Sequence, residues 1–140
     1  MKNIIYTDDI EQISNESLKG FFVDWPEHPN PETHYKILKN SYKIWLAITE
    51  KQCVGFINAI SDGIFYAFIP LLEVIPEYQN CGIGRELVKK MLISLNKMYA
   101  IDIVCDKQIE PFYTKIGFSK CIGMVRRNYQ NQNPSLFNRN

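Results

Sequence analysis

Residues 71–85 read Leu-Leu-Glu-Val-Ile-Pro-Glu-Tyr-Gln-Asn-Cys-Gly-Ile-Gly-Arg. The apolar beginning predicts a buried strand that stops at Pro76, and a short polar loop then leads to Gly82 and Gly84. An amphipathic helix follows, whose apolar residues are Leu87, Val88, Met91, Leu92, Leu95 and Met98. A glycine turn between a strand and a helix presents unpaired N–H groups at the positive end of the helix dipole. The stretch therefore predicts a phosphate or pyrophosphate site.

Two common nucleotide-binding loops do not fit this stretch. A P-loop ends in Gly-Lys followed by Ser or Thr, whereas Arg85 follows Gly84 here. A dinucleotide loop places a third glycine where this chain has Leu87. The sequence therefore argues against a nucleoside triphosphatase and against a dinucleotide site.

Residues 79–84, Gln-Asn-Cys-Gly-Ile-Gly, resemble the acetyl-CoA loop of the GNAT acetyltransferases, written Gln/Arg-x-x-Gly-x-Gly/Ala. Downstream, residues 113–118 are similar to the family's Tyr-x-x-x-Gly-Phe element and follow an apolar stretch at 101–105. The two elements have the order and separation expected in the family. The chain is therefore identified as a member of the GNAT family over about residues 1–128.

This resemblance implies an α/β (α+β) domain with the GNAT acyl-CoA N-acyltransferase fold. Its mixed central sheet would have six to seven strands flanked by about four helices, in the order β-α-α-β-β-β-α-β-α-β. The sequence patterns place helices near 10–22, 30–42, 83–98 and 108–116, and strands at 4–6, 44–48, 53–60, 64–74, 101–105 and 118–128. One domain is expected over 1–129, followed by a polar tail at 130–140 that frays.

Pro70 interrupts the expected fourth strand, because proline has no N–H to donate to a sheet. In the GNAT fold this strand carries a bulge and splays from the fifth, which makes the slot for the pantetheine arm of the cofactor. Pro70 would help to form that bulge. Alternatively, the hydrogen-bonded strand begins after Pro70.

Composition and charge are those of an ordinary globular domain. The chain has 140 residues, 46% of them hydrophobic, and a formal net charge of +1, so nothing indicates nucleic acid or an anionic membrane as a partner. No apolar stretch has transmembrane length and the start does not resemble a signal peptide, so a cytoplasmic location is expected. Cys53, Cys81, Cys105 and Cys121 lack metal-site spacing and are expected to be free thiols, with no metal bound.

The resemblance assigns acetyl-CoA to the slot and the loop. Backbone groups of Leu72 and Val74 would pair with the pantetheine arm as if it were an added strand. Backbone N–H groups across 79–85 would hold the pyrophosphate, and the Arg85 side chain either adds a charge-assisted contact or is simply solvated. The expected cofactor-binding residues are Leu72, Val74, Gln79, Asn80, Cys81, Gly82, Ile83, Gly84, Arg85 and Asp106.

Tyr113 and Glu73 are the candidate catalytic residues. A phenol near the thioester sulfur can protonate the departing thiolate, which is the role of the matching GNAT tyrosine; otherwise Tyr113 packs beside Phe112 and contacts the cofactor passively. Glu73 is the one charged residue in 69–75, and burial would raise its pKa toward that of a useful general base. Alternatively, Glu73 faces an open cleft and pairs with a cation.

Two further polar residues have simpler explanations. Asp106 stands where many GNAT relatives have asparagine, and its expected role is to cap the next helix, with a cofactor contact or the orientation of a water molecule as the alternatives. Cys81 lies near a helix N-terminus, where thiol pKa values fall, but no histidine has an evident reason to lie close. Cys81 is therefore expected to line the loop rather than to act as a nucleophile.

The loop around Trp25, Glu27 and His28 lies where the family places residues that determine the acceptor. An aromatic and acidic lining would suit a cationic amine, and an ordinary solvated loop is the alternative. The reaction implied is direct transfer of acetyl from acetyl-CoA to a primary amine of a small molecule or peptide through a tetrahedral intermediate. The alternative is a non-catalytic GNAT-fold module that binds acyl-CoA as a sensor. The sequence neither requires nor excludes a homodimer.

Overall fold

A five-stranded sheet forms the centre of the molecule. The structure, a computed structural model, describes residues 3–50 and 52–137. Over these residues the strands are β1 Ile5–Thr7, β2 Lys43–Thr49, β3 Gln52–Ser61, β4 Tyr66–Val74 and β5 Ala100–Ile103. They lie in the order β1-β2-β3-β4-β5, the first four antiparallel and β5 parallel to β4.

The α-helices of the described chain are α1 Pro31–Lys39, α2 Ile83–Ser94 and α3 Glu110–Thr114. α1 begins as predicted, because Asn30 Oδ1 accepts the N–H of Thr33 at 2.9 Å and a proline occupies its first position. α2 packs on β2, β3 and β4. Among the described helices, none combines the length and the apolar character needed to cross a membrane.

β3 is buried on both faces, from Cys53 to Ala59. Gly55 faces α2, since a Cβ there would lie 3.1 Å from Leu87 Cδ1. Its neighbour Phe56 points to the opposite face and makes an edge-on contact with the ring of Phe21 at 5.0 Å. A strand covered on both sides has apolar residues in succession rather than in alternation, which explains this sequence.

β4 runs through Pro70 and carries a bulge there. Its pairing with β3 steps from Asn58↔Leu71 to Ile60↔Phe68, so β4 has one extra residue in this interval. The buried Asn58 side chain satisfies a backbone donor at this bulge, because its Oδ1 accepts the N–H of Leu71 at 3.2 Å. The bulge explanation for Pro70 is confirmed, and the alternative in which the strand begins after Pro70 is wrong.

The predicted helix at 10–22 does not form. The segment contains two short 3-10 helices instead, Ile10–Gln12 and Asn15–Leu18. Asp9 accepts the N–H of Glu11, and Ser17 accepts the N–H of Ser14. Side chains of Asp, Asn and Ser bond nearby backbone groups in this way, which favours turns over a continuous helix.

The predicted last strand, 118–128, is also wrong. These residues have no helix, turn or bend and pair with none of the described strands. The described chain therefore has five strands rather than six to seven, and three α-helices rather than about four. A strand needs a neighbour for its hydrogen bonds, and no segment within residues 3–50 and 52–137 provides one here.

The polar tail is held at one point rather than frayed. Ser135 Oγ accepts the N–H of Asn30 at 2.9 Å and donates to Thr33 Oγ1 at 3.0 Å. These bonds connect the C-terminal segment to the start of α1. The last three residues, 138–140, lie outside the described residues.

Candidate active site

The second half of β4 has an open edge. β5 pairs with β4 only as far as Ile69, whereas β4 continues to Val74. The next N–H, of Ile75, donates to the Val54 carbonyl on the β3 side at 2.9 Å. Because successive residues of a strand point their backbone groups to opposite edges, those of Leu72 and Val74 face away from β3. This edge is suited to an extended chain rich in amides.

The loop after β4 is shaped by its own residues. Gln79 Nε2 donates to the Val74 carbonyl at 2.9 Å, which ties the loop back to the strand. Asn80 (φ 59°) and Gly82 (φ 83°) are both left-handed, a conformation that asparagine and glycine tolerate best. The exposed Cys81 thiol donates to the Gln79 carbonyl at 3.4 Å, so its polar contact stays within the loop.

α2 begins with N–H groups that have no partner among the described residues. Gly82 is the N-cap and offers no side chain, and the first bond inside the helix runs from the Glu86 N–H to the Gly82 carbonyl at 3.1 Å. The N–H groups of Ile83, Gly84 and Arg85 remain at the positive end of the dipole. A Cβ on Gly82 would meet nothing within 4 Å, so an anion can approach the backbone.

Gly84 marks the place where three elements meet. A Cβ on Gly84 would lie 3.8 Å from Val74 Cγ2 on β4 and 3.8 Å from Phe112 Cζ on α3. The open edge of β4, the start of α2 and the side of α3 therefore border one cleft. The sequence placed residues of all three elements in one site, and the structure brings them together.

Tyr113 lies on α3 beside this cleft. Its ring makes edge-on contacts with Phe112 at 5.0 Å and Phe118 at 5.5 Å. Burial raises the pKa of the Tyr113 phenol to about 12, and the nearby Cys105 side chain adds to the increase. The phenol therefore keeps its proton at neutral pH, as a proton donor must.

Glu73 points to the opposite face of the sheet from Val74 and holds a loop. Its carboxylate accepts the N–H of Phe22 at 2.9 Å and the N–H of Val23 at 3.3 Å. Burial raises the pKa of Glu73, while these two hydrogen bonds and the nearby His28 side chain act in the opposite direction. The partners of this carboxylate are therefore backbone donors rather than a cation.

The loop held by Glu73 is strained. Phe22 has φ 61° and Asp24 has φ 67°, although neither is a glycine. A left-handed residue of this kind costs on the order of 1–2 kcal/mol. The two hydrogen bonds to Glu73 offset part of that cost.

The acceptor residues expected from the sequence are partly grouped by this loop. The Phe22 ring lies 5.0 Å from Trp25 and 6.1 Å from His28, both of which are exposed. His28 Nδ1 lies 2.8 Å from the Pro29 carbonyl and donates to it. Phe22 therefore contacts Trp25 and His28 with its ring and Glu73 with its N–H. Glu27 is exposed and does not belong to this ring cluster.

A cationic hollow adjoins the start of α2. It has a volume of about 480 Å³ and is lined by Arg85, Lys89, Leu92, Ile93, Asn96, Lys115 and Ile116. Within residues 3–50 and 52–137 none of its three cations forms an ion pair. Sequence reasoning found only Arg85. Lys89 could have been found from its spacing of four residues on the same helix, but Lys115 directly follows α3 and is placed by the tertiary fold.

His34 is a second residue that sequence reasoning gave no role. It is 1% exposed, lies against Phe21, Phe22 and Phe56, and neither ring nitrogen has a hydrogen-bond partner in the described chain. Burial lowers the pKa of His34 to about 4. The cluster therefore contains a neutral histidine on the side of the sheet to which Glu73 points.

Asp106 does not cap the following helix as predicted. Its side chain makes no capping hydrogen bond, and its backbone carbonyl accepts the N–H of Ile109 at 2.9 Å instead. The helix begins with the 3-10 turn Lys107–Ile109, which leaves the exposed carboxylate of Asp106 beyond the end of β5. The described residues contain no group of three or more His, Cys, Asp or Glu side chains that could hold a metal ion.

Comparison with known proteins identifies the family. The family model described as an acetyltransferase (GNAT) domain matches residues 10–131. This chain belongs to the GNAT acetyltransferase family. A Deinococcus radiodurans R1 protein whose crystal structure is described as that of an acetyltransferase is 38% identical, with a TM-score of 0.90 over 94% of this chain and 96% of its own.

Two plant relatives of this GNAT domain are longer proteins. GCN5-related N-acetyltransferase 2, chloroplastic, of Arabidopsis thaliana is 38% identical over 71 residues, which are 49% of this chain and 28% of the relative. Histone acetyltransferase TAP1 of Glycine max is 30% identical over 109 residues, 69% of this chain and 47% of the relative. The chain therefore matches less than half the length of either relative.

The predicted GNAT fold is confirmed, with a mixed sheet and flanking helices. Members of this family generally transfer acyl groups and use acetyl-CoA. The cleft fits such a ligand on its own geometry. The open edge of β4 offers partners for amides, and the start of α2 offers N–H groups for a pyrophosphate. The cationic hollow offers positive charge for a further phosphate.

Proposed function

We propose that this chain is an acetyl-CoA-dependent N-acetyltransferase that acetylates a primary amine of a small molecule or peptide by direct transfer. The observation that carries the proposal is the open edge of β4 beside the uncapped start of α2. The pantetheine arm of CoA is rich in amides and leads to a pyrophosphate. Such a ligand fits a strand edge that offers hydrogen bonds to amides and is followed by a helix start that binds phosphate. No metal is required for this reaction.

The cofactor would be held mainly by backbone groups. Leu72 and Val74 would pair with the pantetheine amides, and N–H groups from the loop to Arg85 would bind the pyrophosphate. Asn80 and Cys81 form the turn that orients these N–H groups toward the pyrophosphate. Arg85, Lys89 and Lys115 would supply positive charge to the remaining phosphate of CoA.

Tyr113 and Glu73 are proposed to move the protons. Acetyl-CoA, when bound, supplies the acetyl group as a thioester. Glu73 accepts a proton from the acceptor ammonium, since a carboxylate that receives two N–H bonds keeps further lone pairs. The amine nitrogen then forms the new C–N bond, the C–S bond breaks, and the Tyr113 phenol gives its proton to the departing sulfur. The nitrogen loses its second proton as the amide forms, and that proton restores the phenol. A β4 N–H that faces the slot can stabilise negative charge on the carbonyl oxygen.

The acceptor would enter from the loop that Glu73 holds. Trp25 and His28 would form an aromatic wall and Glu27 a negative charge for a cationic amine. One plant relative is named a histone acetyltransferase. Lysine peptides therefore belong in the acceptor panel beside small amines.

The first test is thermal stabilisation by acetyl-CoA, CoA, ATP and NAD in parallel. A ligand that binds only the folded state raises the unfolding temperature. We expect shifts with acetyl-CoA and CoA alone. A shift with ATP or NAD instead, or with none of the four, would contradict the proposed cofactor site.

The second test separates an enzyme from an acyl-CoA sensor. Free CoA is measured by thiol titration while acetyl-CoA is mixed with a panel of amines and lysine peptides. The enzyme proposal expects CoA release that depends on the amine. Binding of acetyl-CoA without amine-dependent release across the panel would favour the sensor.

The cationic hollow provides a test of cofactor orientation. We expect Lys89→Gln and Lys115→Gln each to weaken CoA binding by about tenfold, which is the loss of one charge-assisted contact of about 1.4 kcal/mol. The matched control is Lys39→Gln, which removes a lysine from the last turn of α1. Isothermal titration at two salt concentrations measures both affinities. An equal loss in the control would show a general charge effect and not a contact.

A further inference from the structure

We propose that Asn58 and Ser41 are positioning residues, which hold in place the β4 N–H group that polarises the thioester carbonyl. The inference rests on the proposed function and adds to it two side chains outside the open edge of β4. Asn58 belongs to β3, and Ser41 lies between α1 and β2. Both act by fixing the backbone at the bulge of β4.

The directions of the backbone groups identify the N–H in question. Leu71 donates its N–H to Asn58 Oδ1 at 3.2 Å and therefore points toward β3. Backbone groups of the next residue point the other way, which places the Leu72 N–H on the open edge. Pro70 precedes it on that edge and has no N–H to offer. Leu72 therefore provides the first donor on the open edge after the bulge.

The thioester would lie beside this donor in the proposed complex. The pyrophosphate would bind at the start of α2, beyond Val74, so the pantetheine arm would run back along the edge toward Leu72. β5 stops pairing with β4 at Ile69, and the slot begins there. The thioester at the end of the arm would then face the Leu72 N–H, where negative charge developing on the carbonyl oxygen needs a donor.

A chain of hydrogen bonds fixes the peptide before this donor. Asn58 accepts from Leu71, its Nδ2 donates to Ser41 Oγ at 3.0 Å, and Ser41 Oγ donates to the Ile37 carbonyl of α1 at 2.8 Å. Because the single hydroxyl proton of Ser41 goes to Ile37, its oxygen can only accept from Asn58. A reversed amide would place two donors face to face at Leu71, so the chain allows one orientation of Asn58.

Asn58 is polar at a position where packing favours an apolar residue. It is 1% exposed and lies on a strand that is buried on both faces, between Ile57 and Ala59. A buried amide costs free energy unless its hydrogen bonds are made. Its acceptor meets the Leu71 N–H where the extra residue of the bulge disrupts the ladder. The amide therefore serves the bulge, and Ser41 keeps it from turning.

The position of one N–H limits the position of the next. The N–H groups of Leu71 and Leu72 belong to consecutive rigid peptide planes that share the Leu71 Cα. Once Asn58 holds the first plane, only the two backbone dihedrals of Leu71 remain to orient the second. A donor to an oxyanion must lie about 2.7–3.1 Å from it, and a misplacement of about 1 Å can cost about 10²-fold in rate. Loss of the Asn58 amide should therefore weaken the donor without removing it.

The test measures the carbonyl itself, in acetyl-CoA labelled with ¹³C at that carbon and bound without an acceptor. Infrared spectroscopy records the stretching frequency, which falls when an N–H polarises the bond. We expect a lower frequency in the wild-type complex than in free acetyl-CoA. Ser41→Ala should lose about half of this shift and Asn58→Leu most of it. The dissociation constant of acetyl-CoA should stay within about twofold, since the start of α2 is unchanged.

Steady-state kinetics should show a loss in kcat rather than a rise in KM. Removing an oxyanion donor costs about 10²–10³-fold in kcat, so we expect about 10²-fold for Asn58→Leu and about tenfold for Ser41→Ala. Ser41→Thr keeps the hydroxyl and should restore both the frequency shift and kcat. The double variant should be no worse than Asn58→Leu alone, because Ser41 acts through Asn58.

Ser94 at the end of α2 provides a matched control. Its hydroxyl also donates to the carbonyl four residues earlier, that of Lys90, at 3.0 Å, and also accepts a side-chain N–H, that of Trp45, at 2.9 Å. Ser94→Ala therefore removes the same two kinds of bond at the end of α2 that lies away from the cleft. The carbonyl frequency and kcat should both keep their wild-type values.

The outcomes separate this inference from the proposed function. If acetyl-CoA does not bind, both fail. If the wild type acetylates an amine but leaves the carbonyl frequency unshifted, or if the two variants keep the wild-type shift, the positioning role is wrong and the enzyme proposal stands. An equal loss in Ser94→Ala would also overturn the positioning role. Should Asn58→Leu not fold, the partly exposed Ser41 decides through its Ala and Thr variants.

Discussion

Glu73 has two tasks that compete for the same oxygens. The carboxylate accepts the N–H groups of Phe22, which is left-handed, and of Val23, and in the proposed reaction it takes a proton as well. Its pKa is raised by burial, which suits a base. Its position is fixed by the loop it holds, so shaping the acceptor loop and accepting a proton are coupled at this residue.

Substitutions of Glu73 separate the two tasks. We expect Glu73→Ala to lower the free energy of unfolding by about 1–3 kcal/mol, since two loop donors lose a partner, and to raise KM for the amine. Glu73→Gln keeps one acceptor, so it should cost less stability but lower kcat. Because the pKa of Glu73 is raised, wild-type kcat/KM should rise with pH through a pKa above the usual carboxyl range. That acidic limb should disappear in Glu73→Gln. A limb that persists would assign the base elsewhere.

Tyr113 gives the second prediction at this scale. Tyr113→Phe keeps the ring packing with Phe112 and Phe118 and removes only the proton that the phenol donates. We expect kcat to fall by about 10²-fold with the affinity for CoA unchanged. Steady-state kinetics and titration measure the two quantities. Tyr99→Phe is the control, because Tyr99 is 80% exposed. An unchanged kcat would reduce Tyr113 to a packing residue.

Among the elements, β4 and α2 depend on each other to form the cleft. The bulge at Pro70 needs the buried Asn58 side chain to satisfy the Leu71 N–H. The open strand edge then leads directly into the loop that Gln79 ties to Val74. A side chain of β3 therefore stabilises the bulge that precedes the open edge of β4.

The two glycines of the loop should respond differently to a methyl group. Gly82 is left-handed, so Gly82→Ala should lower stability by about 1 kcal/mol and also weaken CoA binding. Gly84 has an ordinary helical backbone, and a Cβ there would be in ordinary contact at 3.8 Å. Gly84→Ala should therefore leave stability unchanged or higher and weaken CoA binding alone. Thermal unfolding and titration decide between them. Equal stability losses would contradict the difference in conformation.

At the scale of the whole molecule, burial on both faces of β3 places a histidine in the core. His34 is neutral there, surrounded by aromatic rings, and has no polar partner in the described chain. Its pKa of about 4 lies below the value of 6.5 for an exposed histidine. The unfolded chain therefore binds a proton at a pH where the folded chain does not.

The stability of the domain should fall in mild acid for this reason. The contribution of His34 is fully present above pH 6.5 and is lost as the pH falls toward 4, by about 3 kcal/mol in total. Urea unfolding at pH 7, 6 and 5 measures this slope. We expect His34→Leu to flatten it and to raise stability at pH 7, since two unpaired nitrogens are removed. The exposed His28 is the control, and His28→Gln should keep the slope.

The sequence by itself determined the family and the local pieces of the site. The loop at 79–84 and the start of α2 follow from the positions of the glycines, the helix dipole and the apolar period of the helix. All three depend on residues that are close in the sequence. For Pro70 the sequence predicted either a bulge or a strand that begins after it. Proline removes one donor from the sheet, and the sequence does not determine how the neighbouring strand adjusts. Local features of this kind can be predicted from the sequence without knowledge of the tertiary structure.

Only the tertiary structure decided the partners of these residues. Glu73 holds Phe22 from fifty-one positions away, and Lys115 joins Arg85 and Lys89 in one hollow. The first helix and the last strand were predicted wrongly for the same reason. Residues 10–18 form two short 3-10 helices, in which side chains as well as backbone carbonyls accept N–H groups. Residues 119–127 make no backbone hydrogen bond within the described part of the chain. The sequence pattern predicts which face of a helix or strand is apolar. Whether that helix or strand forms depends on another segment against which this face can pack.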